Sequence, residues 1–108
     1  MTVKELSLNC GFSVVSLPDP DRQVSGCYIG DLLSWVMGRA QADNAWITIM
    51  SNMNIAAVAA LSDVAVIILA EGVTLEQNVI DTANAKSINI LSSTLPAYET
   101  AEKLFGNV

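Results

Sequence analysis

The run Val64-Ala65-Val66-Ile67-Ile68-Leu69 constrains the fold more than any other feature of the chain. A strand whose two alternating sets of side chains are both apolar must be covered on both faces, the condition of a parallel strand inside an α/β sheet. The run is also far shorter than the ~20 residues a membrane-spanning helix needs. Similar strand-then-helix units flank it. Ala45 to Met50 reads as a strand, with Trp46 and Thr48 on one face and Ile47 and Ile49 on the other. Ser51-Asn52-Met53-Asn54 supplies turn and cap residues ahead of Ile55 to Leu61, a helix apolar all round and therefore predicted to be buried. Thr74-Leu75-Glu76-Gln77 has the form of a capping box opening a helix to about Lys86. Ile88 to Leu91 is a short strand. Ser92-Ser93-Thr94 then caps a last helix with Pro96 in its first turn, and Tyr98, Ala101, Leu104 and Phe105 form its predicted buried stripe.

The first third is less regular. Thr2-Val3-Lys4-Glu5 is a capping box, and its helix should run to about Asn9, with Gly11 as the left-handed stop. Phe12 to Leu17 reads as a strand, Pro18-Asp19-Pro20-Asp21 as a loop, and Val24 to Ile29 as a second strand. Asp31 is placed to cap a helix through Leu32, Leu33, Trp35, Val36, Met37 and Ala40. Trp35 and Trp46 read as core or oligomer interface, and Met37, Met50 and Met53 as gap fillers. The alternation from Ala45 onward implies right-handed crossovers. Residues 1–108 are thus expected to form one domain, a three-layer α/β/α sandwich around a largely parallel sheet of about five strands, with a mixed or antiparallel addition from the first third.

The side chains that are missing narrow the function. No histidine is present, so neither a Ser-His nor a Cys-His nucleophile can be built. Cys10 and Cys27, with no imidazole and no C-x-x-C spacing, make a poor zinc site and read as buried thiols. Neither G-x-x-x-x-G-K-[ST] nor a G-x-G-x-x-G after a strand occurs, which removes the usual ATP and dinucleotide cradles. No cofactor is expected. The net charge of -6, with five scattered basic residues, argues against nucleic acid. Met1-Thr2-Val3-Lys4-Glu5-Leu6 lacks the basic-then-apolar order of a signal peptide. The cytoplasm is the expected location, without membrane attachment.

If the sheet is parallel, ligands bind beyond the C-terminal ends of its strands. The predicted strand-to-helix junctions there are Gly30-Asp31, Ser51-Asn52-Met53-Asn54, Glu71-Gly72-Val73-Thr74 and Ser92-Ser93-Thr94. Each opens a helix, where free amides and the dipole favour an anion or a polar ligand. The candidate ligand-binding residues are Asp31, Ser34, Thr48, Ser51, Asn52, Asn54, Glu71, Gly72, Ser92, Ser93 and Thr94. Taken singly, each junction reads equally as an ordinary helix cap. Together they make one polar rim on an apolar body.

The order of residues also resembles a known family. Val24-Ser25-Gly26-Cys27-Tyr28-Ile29-Gly30-Asp31-Leu32-Leu33-Ser34-Trp35-Val36-Met37 is similar to the V-x-G-x-Y-x-x-D-L-L-S-x-V-M pattern of small stand-alone DRTGG-domain proteins. Trp46-Ile47-Thr48-Ile49, Asn54 to Ala59, Asp63 to Leu69, and Ile90 to Thr94 followed by Tyr98-Glu99 match the same group. The resemblance implies the three-layer fold of the N-terminal domain of HPr kinase/phosphorylase, also found in a Mur-ligase-type domain. It implies a regulatory role, as in related domains beside CBS domains and within phosphotransacetylases, and none of the kinase chemistry. Genes for similar proteins stand near iron-only hydrogenase and electron-transfer genes in anaerobic bacteria. The D-R and T-G-G residues that name the family are absent as such; Ser51-Asn52 and Ala70-Glu71-Gly72 stand near their places.

Three functions follow as expectations. The first is a non-catalytic regulatory module that senses a small polar or anionic metabolite at the rim and acts through a partner or as a homodimer. The second is an adaptor without a ligand, a homodimer or the partner of a hydrogenase or kinase system, whose rim residues are only caps. The third is an enzyme with Asp31 or Glu71 as base.

Overall fold

The computed structural model describes all residues, 1–108. In chain order the elements are α1 (Val3–Cys10), β1 (Ser13–Ser16), β2 (Cys27–Ile29), α2 (Leu33–Arg39), β3 (Ala45–Thr48), α3 (Asn54–Ser62), β4 (Val66–Leu69), α4 (Gln77–Ala85), β5 (Ile90–Ser92) and α5 (Ala97–Leu104). The strands form one sheet in the order β1-β5-β4-β3-β2. Pairs β2–β3, β3–β4 and β4–β5 are parallel, and β1 runs antiparallel to β5. The three-layer, largely parallel sandwich expected from the alternation is the fold, and the irregular first third supplies the antiparallel strand.

Stepwise order from β2 to β5 puts α2, α3 and α4 on one face, because right-handed crossovers in one direction along a sheet stay on one side. Alternation along β4 divides the core accordingly. Ile67 and Leu69 join Trp46, Val36, Ile55, Val58 and Val79 under those three helices. Val66 and Ile68 join Val3, Leu6, Phe12, Ile47 and Leu104 under α1 and α5. All four residues of β4 are inaccessible, as a strand covered on both faces requires.

Several local expectations fail. Asp31 does not cap α2, whose N-cap is Leu32; Thr74 does not cap α4, which begins three residues later behind Glu76; and Ser92-Ser93-Thr94 do not cap α5, whose N-cap is Pro96. In each case the strand-to-helix loop is longer than the cap pattern assumed. In α5 the buried residues are Thr100 and Leu104, while Tyr98 and Phe105 point to solvent, Phe105 at 90% exposure. α3 is not buried all round, because Leu61 lies on its open side. Cys27 is exposed, whereas Cys10 is buried as expected. Trp46 is core, and its indole Nε1 donates to the Gly30 carbonyl at 2.9 Å. Trp35 is half exposed with the Arg39 guanidinium stacked on its ring at 3.7 Å.

Candidate functional site

Because β2, β3, β4 and β5 are mutually parallel, their C-terminal ends meet along one side of the sheet, and α2 to α5 all begin there. The eleven predicted rim residues are therefore collected at one end of the molecule. They do not stand alike.

Four of the eleven have side chains bonded within the fold. Thr48 is buried; its Oγ1 donates to Asp31 Oδ1 at 2.8 Å and accepts from the Met50 amide at 3.1 Å. Ser93 is buried against Thr100, the two hydroxyls 2.8 Å apart, and its Oγ accepts from the Leu95 amide at 3.1 Å. Asp31 itself accepts from Thr48 and from the Ile49 amide through the same oxygen, which clasps the end of β2 to the end of β3. Asn52 Oδ1 accepts from the Asn54 amide at 2.9 Å, an Asx turn that takes the first amide of α3. The remaining side chains, Ser34, Ser51, Asn54, Glu71, Ser92 and Thr94, form no hydrogen bond within the chain, and all but the half-buried Ser92 are exposed.

The N-termini of α2, α4 and α5 share one property: none receives a side-chain cap, whereas at α3 the Asn52 side chain takes the first amide. Ordinarily Ser, Thr, Asn or Asp satisfies some of the free amides of a first turn. Here such residues are present at the rim but are used elsewhere or left unpaired. Open amides and the positive ends of helices face outward at this end.

The rim is a ledge rather than a cleft. Connections diverge to opposite faces of the sheet only between β4, followed by α4, and β5, followed by α5, and that divergence is where open sheets form a crevice. Backbone bonds stitch the gap shut here: Glu71 N to Leu95 O at 2.8 Å, Gly72 N to Ser93 O at 2.9 Å and Ser93 N to Leu69 O at 2.7 Å. Glu71 and Gly72 both take left-handed backbone, at φ 61° and 67°, with Val73 N bonded back to Ala70 O. Two consecutive positive φ values are what a pair of glycines accepts freely. Glu71 therefore occupies a backbone position that favours glycine.

Charge divides along the strands. Asp31 and Glu71 stand at the rim, while Arg22, Arg39 and Lys86 lie toward the opposite end, where the strands begin. Arg22 is held there by Asp43 and Asp63, each at 2.9 Å, and the two carboxylates raise its pKa against the opposing effect of desolvation. No group of acidic or cysteine side chains could hold a metal ion.

The concave surface lies elsewhere. A groove of about 490 Å³ runs between β2 and α5, lined by Cys27, Ile29, Ala101, Leu104, Phe105 and Val108, and a second hollow of about 500 Å³ adjoins it at Tyr98 and Glu102. The apolar surroundings of Cys27 desolvate its thiol and push the pKa up to about 11 even though the residue is exposed, so it is protonated at neutral pH and a weak nucleophile. Sequence reasoning missed this groove. The available signal was the uncharged stretch from Gln23 to Gly30 combined with an aromatic residue, Phe105, at the end of a helix.

Known proteins bear on this geometry. The family model of the DRTGG domain matches residues 21–106. No curated protein matches the sequence. Among solved structures, the chain is similar to the CBS and DRTGG domains of the regulatory region of Clostridium perfringens pyrophosphatase, a complex with the activator diadenosine tetraphosphate. The TM-score is 0.74 at 10% identity, over 95% of this chain and 45% of that one, so this chain spans less than half the length of that relative. A likeness at this identity establishes a shared fold.

Proposed function

We propose that this chain, which belongs to the DRTGG-domain family, is a non-catalytic regulatory module whose strand-end rim senses a small phosphate-bearing ligand of the nucleotide class. One observation carries the reading: four helices open on the same side of one sheet, and three of them have no side-chain cap. Uncapped first turns cost stability, typically about 1 kcal/mol each relative to a good cap. They also present the donors that bind phosphate oxygens. The unpaired hydroxyls and amide of Ser51, Thr94 and Asn54 add neutral donors. The solved DRTGG-containing regulatory region was crystallised with a dinucleotide polyphosphate, which supports the ligand class.

The arrangement supports holding rather than transforming. Asp31, one of the two predicted bases, has one oxygen engaged by Thr48 and the Ile49 amide, and no histidine stands anywhere to shuttle a proton. With no Lys or Arg among the rim residues, phosphate would be met by backbone amides and dipoles, so its binding should depend only weakly on salt.

The test is a thermal-shift series with diadenosine tetraphosphate, ATP, AMP and pyrophosphate. A ligand present at about a hundred times its Kd stabilises by about 2.7 kcal/mol, which for a domain of this size is a rise on the order of 10 °C. An unchanged melting temperature with all four would sink the proposal and leave the adaptor reading in its place.

A further inference from the structure

The two edges of the sheet are finished differently. At β1 the register breaks between Val14 and Ser16, and Pro18 follows shortly after. A bulge and a nearby proline are how proteins keep an edge from pairing. At β2 the pairing with β3 is regular and neither device is present. Ala45 N bonds to Gly26 O at 3.0 Å and Gly30 N to Ile47 O at 3.2 Å. Gly26, Tyr28 and Gly30 therefore turn their backbone groups toward β3. By the two-residue period of a strand, the N–H and C=O groups of Cys27 and Ile29 face outward and unpaired.

Apolar surface flanks this open row on both faces. Beside Cys27 and Ile29 lie Phe105 and Val108 of the groove. On the other face α2 buries Val36 alone, and in a right-handed crossover Leu32 and Trp35 fall on the flank away from α3. Leu32, Trp35, Ile29, Phe105 and Val108 are all at least 40% exposed. Together they offer roughly 600 Å² of side-chain surface, most of the ~800 Å² per partner that a stable interface buries. Charge permits self-association here as well. The chain carries -6 overall, yet no charged residue occurs between Arg22 and Asp31. Two copies meeting at β2 bring together their neutral surfaces.

We propose that β2 is the surface on which two copies of this chain pair, edge to edge and antiparallel, joining their five-stranded sheets into one. Antiparallel pairing of a strand with its own copy is self-complementary about a two-fold axis. An axis at Tyr28 sets Cys27 of each copy opposite Ile29 of the other, so that all four outward-facing groups find partners. Seating Phe105 and Val108 at the same junction would close the groove.

The experiment is sedimentation velocity over a concentration series, with the wild-type chain, I29K and I29P. The proline removes only the outward N–H, since Ile29 does not donate to β3, and the lysine puts like charges on both sides of the axis. The wild type should sediment as a dimer, and each variant should weaken dimerisation at least about tenfold while keeping the wild-type circular dichroism. A second measurement needs no variant: hydrogen exchange at the Cys27 and Ile29 amides should slow as the protein concentration rises. A wild type that stays monomeric throughout overturns the proposal. So does a dimer in which those two amides exchange as fast as in the monomer.

Discussion

The two ends of the parallel strands are built on opposite principles. Where the strands begin, several polar groups are paired in closed sets, the buried Ser62 hydroxyl being an exception. Thr2 and Glu5 form a complete capping box at the start of α1. Arg22 joins Asp43 to Asp63, both held in left-handed backbone. Buried Asn89 donates to the Asp19 and Ala65 carbonyls and accepts from the Asp19 amide. Where the strands end, α2, α4 and α5 open uncapped and the side chains of Ser51, Asn54 and Thr94 bond to nothing in the chain. Polar side chains spent on the fold at one end and left unspent at the other separate stability from recognition. Substitutions at the first end should cost folding free energy and spare the ligand; those at the second should do the reverse.

The largest effect is expected at Asn89. Removing its amide strands the buried Ala65 carbonyl and unhooks the Pro18–Asp21 loop from the sheet, leaving the part-buried Asp19 amide and carbonyl without that partner. Asn89→Ala should cost about 3 kcal/mol, visible as a fall in melting temperature of more than 10 °C. The increment that a bound nucleotide adds to the melting temperature should survive intact. If that increment vanishes in a still-folded variant, the two ends are coupled and the division fails.

Thr2→Ala should cost about 1 kcal/mol, the usual worth of a cap, and it has a pH signature. Hydrogen bonds from Thr2, its backbone N–H first, hold the Glu5 carboxyl below the ordinary carboxylate range. A group whose pKa is lowered by folding stabilises above its unfolded pKa and loses that contribution as pH falls through the folded value. The difference in melting temperature between wild type and Glu5→Gln should therefore be present at neutral pH and shrink on acidification below the ordinary carboxylate pKa. A difference independent of pH would mean that the carboxylate charge contributes nothing to the cap.

At Glu71, alone among the rim positions, substitution should stabilise. Glu71 sits at φ 61° and its side chain has no partner. Glu71→Gly relieves a left-handed backbone worth about 1 kcal/mol, offset in part by the greater freedom glycine has in the unfolded chain. It also removes a carboxylate from beside the uncapped helices, so a phosphate ligand should bind more tightly. Denaturant melts and a ligand titration of the same variant check both halves.

The contrast between the ends also explains what the sequence could and could not disclose. Strands covered on both faces are almost wholly apolar, which is why β3, apart from the hydrogen-bonded Thr48, and β4 stand out in the sequence. The Thr2–Glu5 box was legible because Thr-x-x-Glu sits directly ahead of its helix. The same kind of pattern misled at Thr74 and Ser92, where the chain continues for two and four more residues before turning helical. Ser, Thr, Asn and Asp are chosen for caps and for open polar ledges alike, and only backbone geometry tells the two apart. In α5, burial of Thr100 was invisible because its hydroxyl is satisfied by Ser93 and Leu95. The exposure of Tyr98 and Phe105 was invisible because their spacing with Ala101 and Leu104 imitates a core stripe.

The smallest effect on folding is the most informative about function. Ser51 and Thr94 are exposed and unbonded, so Ser51→Ala and Thr94→Ala should each change stability by no more than about 0.5 kcal/mol, the ordinary range for surface substitutions. If the rim grips a phosphate ligand through such groups, each loss of a donor to a charged oxygen should weaken binding by about 1.5–3 kcal/mol, a tenfold effect or more on Kd. The ratio of the two effects is the quantity to measure, by denaturant melts and by isothermal titration of the same preparations. At Asn89 the ratio should be near zero and at Ser51 far above one. Equal ratios at both positions would mean that the uncapped helices are a local irregularity of the fold and that the rim reads nothing.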